Sequence, residues 1–416
     1  MHPKALMTLC TGLLQRVLTF DHPADRVVSA FFQENRALGS RERGALAETT
    51  YALLRQRLLF QNLAQSGKGP MERRLALLAW RGEPRTLEAA LEDGEREWLA
   101  RCASVDRSSL PAKLRHNLPD WLADGLKSQL GEAEFEDLAA SLLEPAPLDL
   151  RVNTLTTKRE SVLAELAEFG AVPTPFSPWG LRLQGKPNIN HWPLFKNGSL
   201  EVQDEGSQLL ALLLDAKRGE MVADFCAGAG GKTLALGAAM RNTGRLYAFD
   251  ISGHRLDALR PRLARSGLSN VYPIQIAHER DERVKRLRGK LDRVLVDAPC
   301  SGLGTLRRNP DMKWRQSPQT VAALVPQQQA ILASAAKLLK PGGRLVYATC
   351  SLLTAENEGV AATFEAANPD FERLNPVELL QANVSRAAEL VTGQALRLWP
   401  HRHACDGFFA VAWQKR

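Results

Sequence analysis

The sequence predicts an α/β protein in which a Rossmann-like parallel sheet follows a small α+β module and an all-helical N-terminal domain. Three observations carry that prediction. Up to about residue 140 apolar residues recur at helical spacing, Glu144-Pro145-Ala146-Pro147 then interrupts the pattern, and from Met221 onward short β-rich runs alternate with helical stretches. The expected domains are residues 1–143, 144–219 and 220–416.

In the first domain the clearest helix begins at Ser40, expected as its N-cap, and sets Ala47, Tyr51, Leu54 and Leu58 on one stripe. Pro145 and Pro147 each remove a backbone donor and restrict the residue before them, so the stretch reads as a linker. From Leu150-Arg151-Val152-Asn153 to Gly219, apolar runs mix with turn clusters such as Pro173-Thr174-Pro175 and Ser177-Pro178-Trp179-Gly180, the composition of a small α+β module. The strands expected in the last domain span residues 221–225, 244–249, 271–276, 293–296 and 344–348, with the apolar run 408–413 closing the sheet as an edge strand.

With 44% hydrophobic and 24% charged residues the 416-residue chain has an ordinary globular composition, so disorder is not the expectation. Lys+Arg 54 against Asp+Glu 46 gives a net charge of +8, a modest surplus that favours a polyanionic partner without establishing one. Six cysteines (Cys10, Cys102, Cys226, Cys300, Cys350 and Cys405) are too scattered for a disulfide scaffold and show no CxxC spacing. His401 and His403 lack partners at metal spacing, so no metal is expected. Gln15 and Arg16 interrupt the apolar N-terminal stretch and no run is long enough to span a bilayer, so the expected compartment is the cytoplasm.

The run Val222-Ala223-Asp224-Phe225 passes through Cys226-Ala227-Gly228-Ala229-Gly230-Gly231-Lys232-Thr233 into a helical stretch. Glycines at such a turn let the backbone approach a ligand closely, although the same turn also serves tight packing alone. A P-loop requires glycine where Cys226 stands, and the dinucleotide fingerprint requires a third glycine where Thr233 stands. A nucleoside-type cofactor without pyrophosphate remains, a description that S-adenosylmethionine fits. Asp250 lies where a carboxylate grips a ribose diol or, more blandly, caps a helix.

Cys300 and Cys350 each follow a buried-looking strand, in Val294-Leu295-Val296-Asp297-Ala298-Pro299-Cys300 and Leu345-Val346-Tyr347-Ala348-Thr349-Cys350. Open α/β sheets build sites at the carboxyl ends of their strands, so both thiols and Asp297 are expected in one crevice. A single buried cysteine is usually a small hydrophobe, but two beside an acid suggest covalent chemistry. A thiolate adding to carbon 6 of a pyrimidine makes carbon 5 nucleophilic enough to take a methyl group from a sulfonium, and a carboxylate holding the ring stabilises the developing charge. Glu356 and Glu358 read as first-turn acids of a helix capped near Thr354.

Together, the stretches 224–233, 297–302 (Asp-Ala-Pro-Cys-Ser-Gly) and 348–351 (Ala-Thr-Cys-Ser) resemble the Nop/Sun RNA cytosine-5 methyltransferases. Leu150-Arg151-Val152-Asn153 and Val202-Gln203-Asp204-Glu205-Gly206-Ser207 resemble that family's pre-catalytic RNA-binding module, and Leu38-Gly39-Ser40-Arg41-Glu42-Arg43-Gly44 resembles the NusB-type helical domain of its bacterial RsmB subgroup. The resemblance implies a class I methyltransferase domain in which Cys350 is the nucleophile, Cys300 assists product release and Asp297 contacts the cytosine. It also implies that Cys226, Ala227, Gly228, Ala229, Gly230, Gly231, Lys232, Asp250 and Asp297 bind S-adenosylmethionine. The family often has proline where Ala229 stands and an acid where Ala277-His278 follows the third strand.

Arg307-Arg308-Asn309-Pro310-Asp311-Met312-Lys313-Trp314-Arg315 places cations and an aromatic ring just after Cys300, a loop expected to hold phosphates and stack an extruded base. The alternating charges of residues 279–286 read instead as a solvated helix face. The expected function is methylation of carbon 5 of a cytosine in RNA, with 16S ribosomal RNA as the implied partner, by a monomer that engages neither membrane nor metal. A non-catalytic RNA-binding assembly factor on a methyltransferase scaffold is the alternative, and a nicotinamide oxidoreductase would need the fingerprint that Thr233 breaks.

Overall fold

Val222, Ala223, Val294, Leu295, Val296, Leu345, Val346 and Ala348 are all 0% exposed, as strands sandwiched between two helical layers require. The computed structural model describes residues 1–185 and 187–416. Those residues fall into two compact units, one of Met1–Pro145 with Thr305–Pro318 and one of Ala146–Gly304 with Gln319–Arg416.

The first unit is helical throughout, around a core that includes Met7, Cys10, Leu13, Leu46, Leu53 and Phe60. Its Ser40–Arg55 helix is capped by Gly39 rather than Ser40, and it ends at Gln56, so Leu58 belongs to the next helix. Of the expected stripe Leu54 is fully buried and Ala47 and Tyr51 are half-buried, and the buried face is wider than expected, with Leu46, Thr49, Thr50 and Leu53 also facing inward. The threonines fit there because Thr50 donates to the Leu46 carbonyl at 2.8 Å and Thr49 accepts from the Arg81 amide at 3.0 Å.

The second unit opens with a four-stranded antiparallel sheet of β1 (Leu148–Val152), β2 (Val172–Pro173), β3 (Gly180–Leu183) and β4 (Leu200–Val202), in the order β2-β3-β1-β4. The Glu205–Leu214 helix follows, and its run of leucines is buried on nearly every side because it packs into the core beneath the larger sheet.

The larger sheet comprises β5 (Met221–Asp224), β6 (Arg245–Asp250), β7 (Val271–Gln275), β8 (Leu291–Asp297), β9 (Leu339–Thr349), β10 (Phe371–Arg373), β11 (Val391–Thr392), β12 (Ala395–Leu398) and β13 (Phe408–Lys415). Its order is β11-β12-β13-β9-β8-β5-β6-β7, with β10 also paired to β13. Strands β9, β8, β5, β6 and β7 are mutually parallel, and β13 runs antiparallel to β9. This is the Rossmann-like arrangement, with one correction. The run 408–413 is an interior strand, covered on its far side by β12 and paired over Leu396–Leu398 with Phe408–Ala410. Phe409, Val411 and Trp413 are accordingly 0% exposed, which an edge strand would not achieve.

Candidate active site

At the carboxyl ends of β5, β6, β8 and β9 the chain leaves the sheet in turns that carry the residues the sequence singled out. After β5, Gly228 and Gly230 adopt left-handed φ values of +56° and +82°. The two glycines serve different ends. A Cβ on Gly230 would lie 2.1 Å from Leu259 Cδ1, whereas one on Gly228 would meet nothing within 4 Å, so Gly230 permits packing and Gly228 borders open space.

The turn is tied to the neighbouring strand by Ala227 N donating to the Phe249 carbonyl and Gly228 N donating to Asp250 Oδ2, both at 2.8 Å. Asp250 Oδ1 accepts from Ser252 N at 2.7 Å, and the cap of the following helix is Ser252 rather than Asp250. Each carboxylate oxygen of Asp250 keeps further acceptor capacity. Cys226 is half-buried, and burial together with Asp224, Asp297 and Asp250 pushes its thiol well above the ordinary value, which leaves it a poor nucleophile.

Two further elements hold the turn from outside. Arg151 of β1 donates from Nη1 to the Gly231 carbonyl at 2.6 Å and also bonds Gln203. Arg262 donates to the Ala229 carbonyl at 2.6 Å and is itself clamped on Glu201 of β4, which also takes Arg265 at 2.6 Å. The small sheet therefore braces the glycine turn.

Beneath the turn Asp224 is 1% exposed; Oδ2 accepts from Thr233 Oγ1 at 2.7 Å, and Oδ1 is buried with no hydrogen-bond partner among the described residues. Burial pushes this carboxyl up to about 7. At the end of β8, Asp297 Oδ2 accepts from Lys232 Nζ at 2.7 Å. Burial works to lower the Lys232 ammonium, but Asp297, with Cys350 and Asp224 behind it, leaves it raised and charged.

Cys300 Sγ and Cys350 Sγ are 3.5 Å apart, and both side chains are half-buried. Their hydrogen bond, then burial, then the charges of Cys350 and Glu356 push the Cys300 thiol well above its ordinary value. The backbone behind Cys350 is fixed by Gly304 N donating to its carbonyl and Gly407 N donating to the Gly304 carbonyl, both at 2.8 Å. A Cβ on Gly304 would fall 2.0 Å from the Gly407 oxygen. The Asp406-Gly407-Phe408 run thus locks the thiol loops, and the Phe408 ring lies 5.5 Å from Lys232 Nζ.

Local sequence pattern did not single out Glu356, Glu201 or Arg151 as site-building residues. Glu356 precedes the Glu358–Ala367 helix, whose cap is Asn357, and turns inward instead of lying in a first turn. The loop 307–315 requires a second correction. Lys313 is buried and donates to the Arg55 carbonyl at 2.8 Å, and Trp314 Nε1 donates to the Leu54 carbonyl at 2.7 Å, so both are engaged by the first unit and Lys313 cannot reach a phosphate. Among the described residues no cluster of His, Cys, Asp or Glu is arranged to hold a metal, and no helix is long and apolar enough to cross a membrane.

Residues 211–414 match the family model of the 16S rRNA methyltransferases RsmB/F, and residues 118–190 match the ferredoxin-like domain of RsmF/B-type methyltransferases. A probable ribosomal RNA small subunit methyltransferase B of Synechocystis sp. is 39% identical over 314 residues, which is 75% of this chain and 70% of that protein. The Bacillus subtilis protein of the same description is 33% identical over 301 residues, 72% of this chain and 66% of its own length. Among solved structures, PH0851 superposes with a TM-score of 0.81 at 26% identity, covering 100% of this chain and 99% of that one. A methyltransferase homologue from Pyrococcus horikoshii gives 0.62 at 31% identity over 75% of this chain and 100% of its own. With the parallel sheet, the glycine turn and the paired thiols already in place, these matches identify the chain as a member of the RsmB/F family of S-adenosylmethionine-dependent 16S rRNA methyltransferases.

Proposed function

We propose that the protein methylates carbon 5 of a cytosine in small-subunit ribosomal RNA through a covalent adduct between Cys350 and carbon 6. The observation that carries this reading is the 3.5 Å approach of the Cys300 and Cys350 sulfurs, with the Lys232–Asp297 pair beside them.

The residues present suit the cofactor. The open side of Gly228 allows close approach to the backbone, and the remaining acceptor capacity of Asp250 suits a ligand that carries hydroxyls. The stretch 226–232, Asp250 and Asp297 are the residues we assign to S-adenosylmethionine, which supplies an electrophilic methyl group when bound.

Cys350 adds as thiolate to carbon 6, and Asp297, fixed by Lys232, holds the ring edge where charge develops. Carbon 5 thereby becomes the nucleophile. After methylation carbon 5 must lose its proton before the Cys350 sulfur can be expelled, and Cys300, within hydrogen-bond reach of that sulfur, assists this release. Methylation of a small-subunit rRNA transcript with radiolabelled donor tests the assignment. Cys350→Ala abolishes methyl transfer, and Cys300→Ala accumulates a denaturation-resistant RNA–protein adduct seen as a slow band on a denaturing gel. The opposite pattern reverses the two roles, and methylation by both variants removes the cysteine mechanism.

A further inference from the structure

A single carboxylate joins the two loops that end in thiols. Glu356 is 0% exposed. Its Oε1 accepts from Ser301 N at 2.8 Å and from Gln328 Nε2 at 2.9 Å, and its Oε2 accepts from Ser301 Oγ at 2.5 Å and from the Ser351 hydroxyl. Ser301 follows Cys300 and Ser351 follows Cys350, so one side chain holds the residue next to each sulfur. Gln328 also donates to the Pro299 carbonyl at 3.0 Å, on the other side of Cys300. The Glu356 backbone is fixed in turn, since Tyr347 Oη donates to its carbonyl at 2.6 Å.

A fully buried carboxylate costs much more to desolvate than a hydroxyl or an amide, so a structural cross-link alone would not require one. Its charge also acts on the site. Cys350 and Glu356 act electrostatically on Cys300, and Cys300, Glu356 and Cys226 act on its neighbour Tyr347 of β9; none of them supplies a positive charge there. Lys232, by contrast, interacts with Cys350. A negative charge is therefore disfavoured at Cys300.

We propose that Glu356 is a positioning residue for methyl transfer, which holds the two thiol loops at their working separation and gives the thiols unequal roles. The inference rests on the cysteine mechanism proposed above. Glu356 touches neither sulfur through a hydrogen bond of its own; it acts through Ser301 and Ser351 and through its charge.

The test uses the full-length protein without RNA. Iodoacetamide alkylation at pH 8, followed by tryptic mass spectrometry, gives the separate rates at Cys300 and Cys350, and the rRNA transcript assay gives kcat and KM. In the wild type Cys350 is alkylated at least tenfold faster than Cys300. Glu356→Gln narrows that ratio below threefold and lowers kcat at least tenfold while the KM values for RNA and S-adenosylmethionine stay within twofold, and Glu356→Asp recovers part of both losses. An unchanged ratio with unchanged kcat overturns the proposal, as does a kcat loss in which both thiols become equally more reactive and their ratio is kept. Should Glu356→Gln fail to fold, Ser351→Ala removes one tether and leaves the charge; a threefold or larger fall in kcat at constant KM supports the proposal and an unchanged kcat overturns it. Cys350→Ala separates the two readings. If that variant still methylates, the cysteine mechanism falls, whereas a dead Cys350→Ala beside an unaffected Glu356→Gln removes only the role of Glu356.

Discussion

At Asp224 the needs of the core and of the cofactor turn pull in opposite directions, because the side chain that closes β5 must stay polar while 1% exposed. The Thr233 hydroxyl satisfies one oxygen and nothing satisfies the other, so burial raises the carboxyl to about 7. The sign of its contribution to stability follows. Between the ordinary carboxylate range and about 7 the folded protein holds a proton here that the unfolded chain has released, so stability falls as pH rises through that window and levels off above it. Asp224→Asn, which cannot ionise, is expected to flatten that part of the decline in melting temperature measured in ligand-free protein from pH 5 to pH 8; an unchanged slope would place the titration elsewhere. Position in the sequence makes Asp224 visible as part of the expected strand 221–225, but not its charge state. The same limit hid Glu356, whose spacing from Glu358 suits a helix terminus and whose inward turn depends on donors from Ser301 and Gln328, distant in the chain. Cys300 and Cys350 were legible because each follows an apolar run, and strand direction alone brings such positions to one edge.

Strands β1 and β4 do more than complete a small sheet, since each sends one charged side chain toward the glycine turn. Glu201 on β4 is 3% exposed on its side chain and holds Arg262 and Arg265, and Arg262 in turn holds the Ala229 carbonyl. Removing the carboxylate leaves two half-buried cations without their partner and costs on the order of 1–3 kcal/mol. Arg151 adds to that cost, because burial already lowers its guanidinium to about 10 and Glu201 is the anion that opposes the shift. Glu201→Ala is therefore expected to lower the melting temperature and to weaken S-adenosylmethionine binding at least fivefold by titration calorimetry; destabilisation with unchanged affinity would confine the brace to folding. The elements themselves were unequally legible. β5, β8 and β9 are buried on both faces and read as continuous apolar runs, whereas β12 carries the buried Arg397, stacked against Trp399 and Phe409, and so lacks the pattern that would have marked it. Without β12 in view, β13 takes the place of an edge. In the Ser40–Arg55 helix the inward threonines widen the buried face beyond the apolar stripe for the same reason, polar groups satisfied by partners that periodicity does not reveal.

On the scale of the whole chain, the linear order of residues conceals how the helical unit is completed. Thr305–Pro318 leaves the catalytic sequence a few residues after Cys300 and packs with Met1–Pro145, a non-local pairing for which the sequence holds no periodic signal. Its clustered cations and tryptophan suggest a nucleic-acid loop only while their partners are unknown. Asp311 Oδ2 accepts from Ala24 N at 3.2 Å, Lys313 and Trp314 donate to the carbonyls that end the Ser40–Arg55 helix, and Arg55 returns a bond to the Arg307 carbonyl at 3.0 Å. Carbonyls at a helix end have no partner within the helix, so this segment serves as its cap. Lys313 is 1% exposed, and that burial, with the charge of Arg55 beside it, lowers its ammonium to about 7. A fragment of residues 1–145 lacks these partners and uncovers the apolar surface beneath Trp314. It is expected to unfold at a lower urea concentration than the helical unit of the intact protein, and a synthetic peptide of residues 305–318 added in trans should raise its midpoint, with the Trp314→Ala peptide much less effective. Equal midpoints for the fragment with and without the peptide, matching that of the intact chain, would mean that the segment rests on the helical unit without stabilising it.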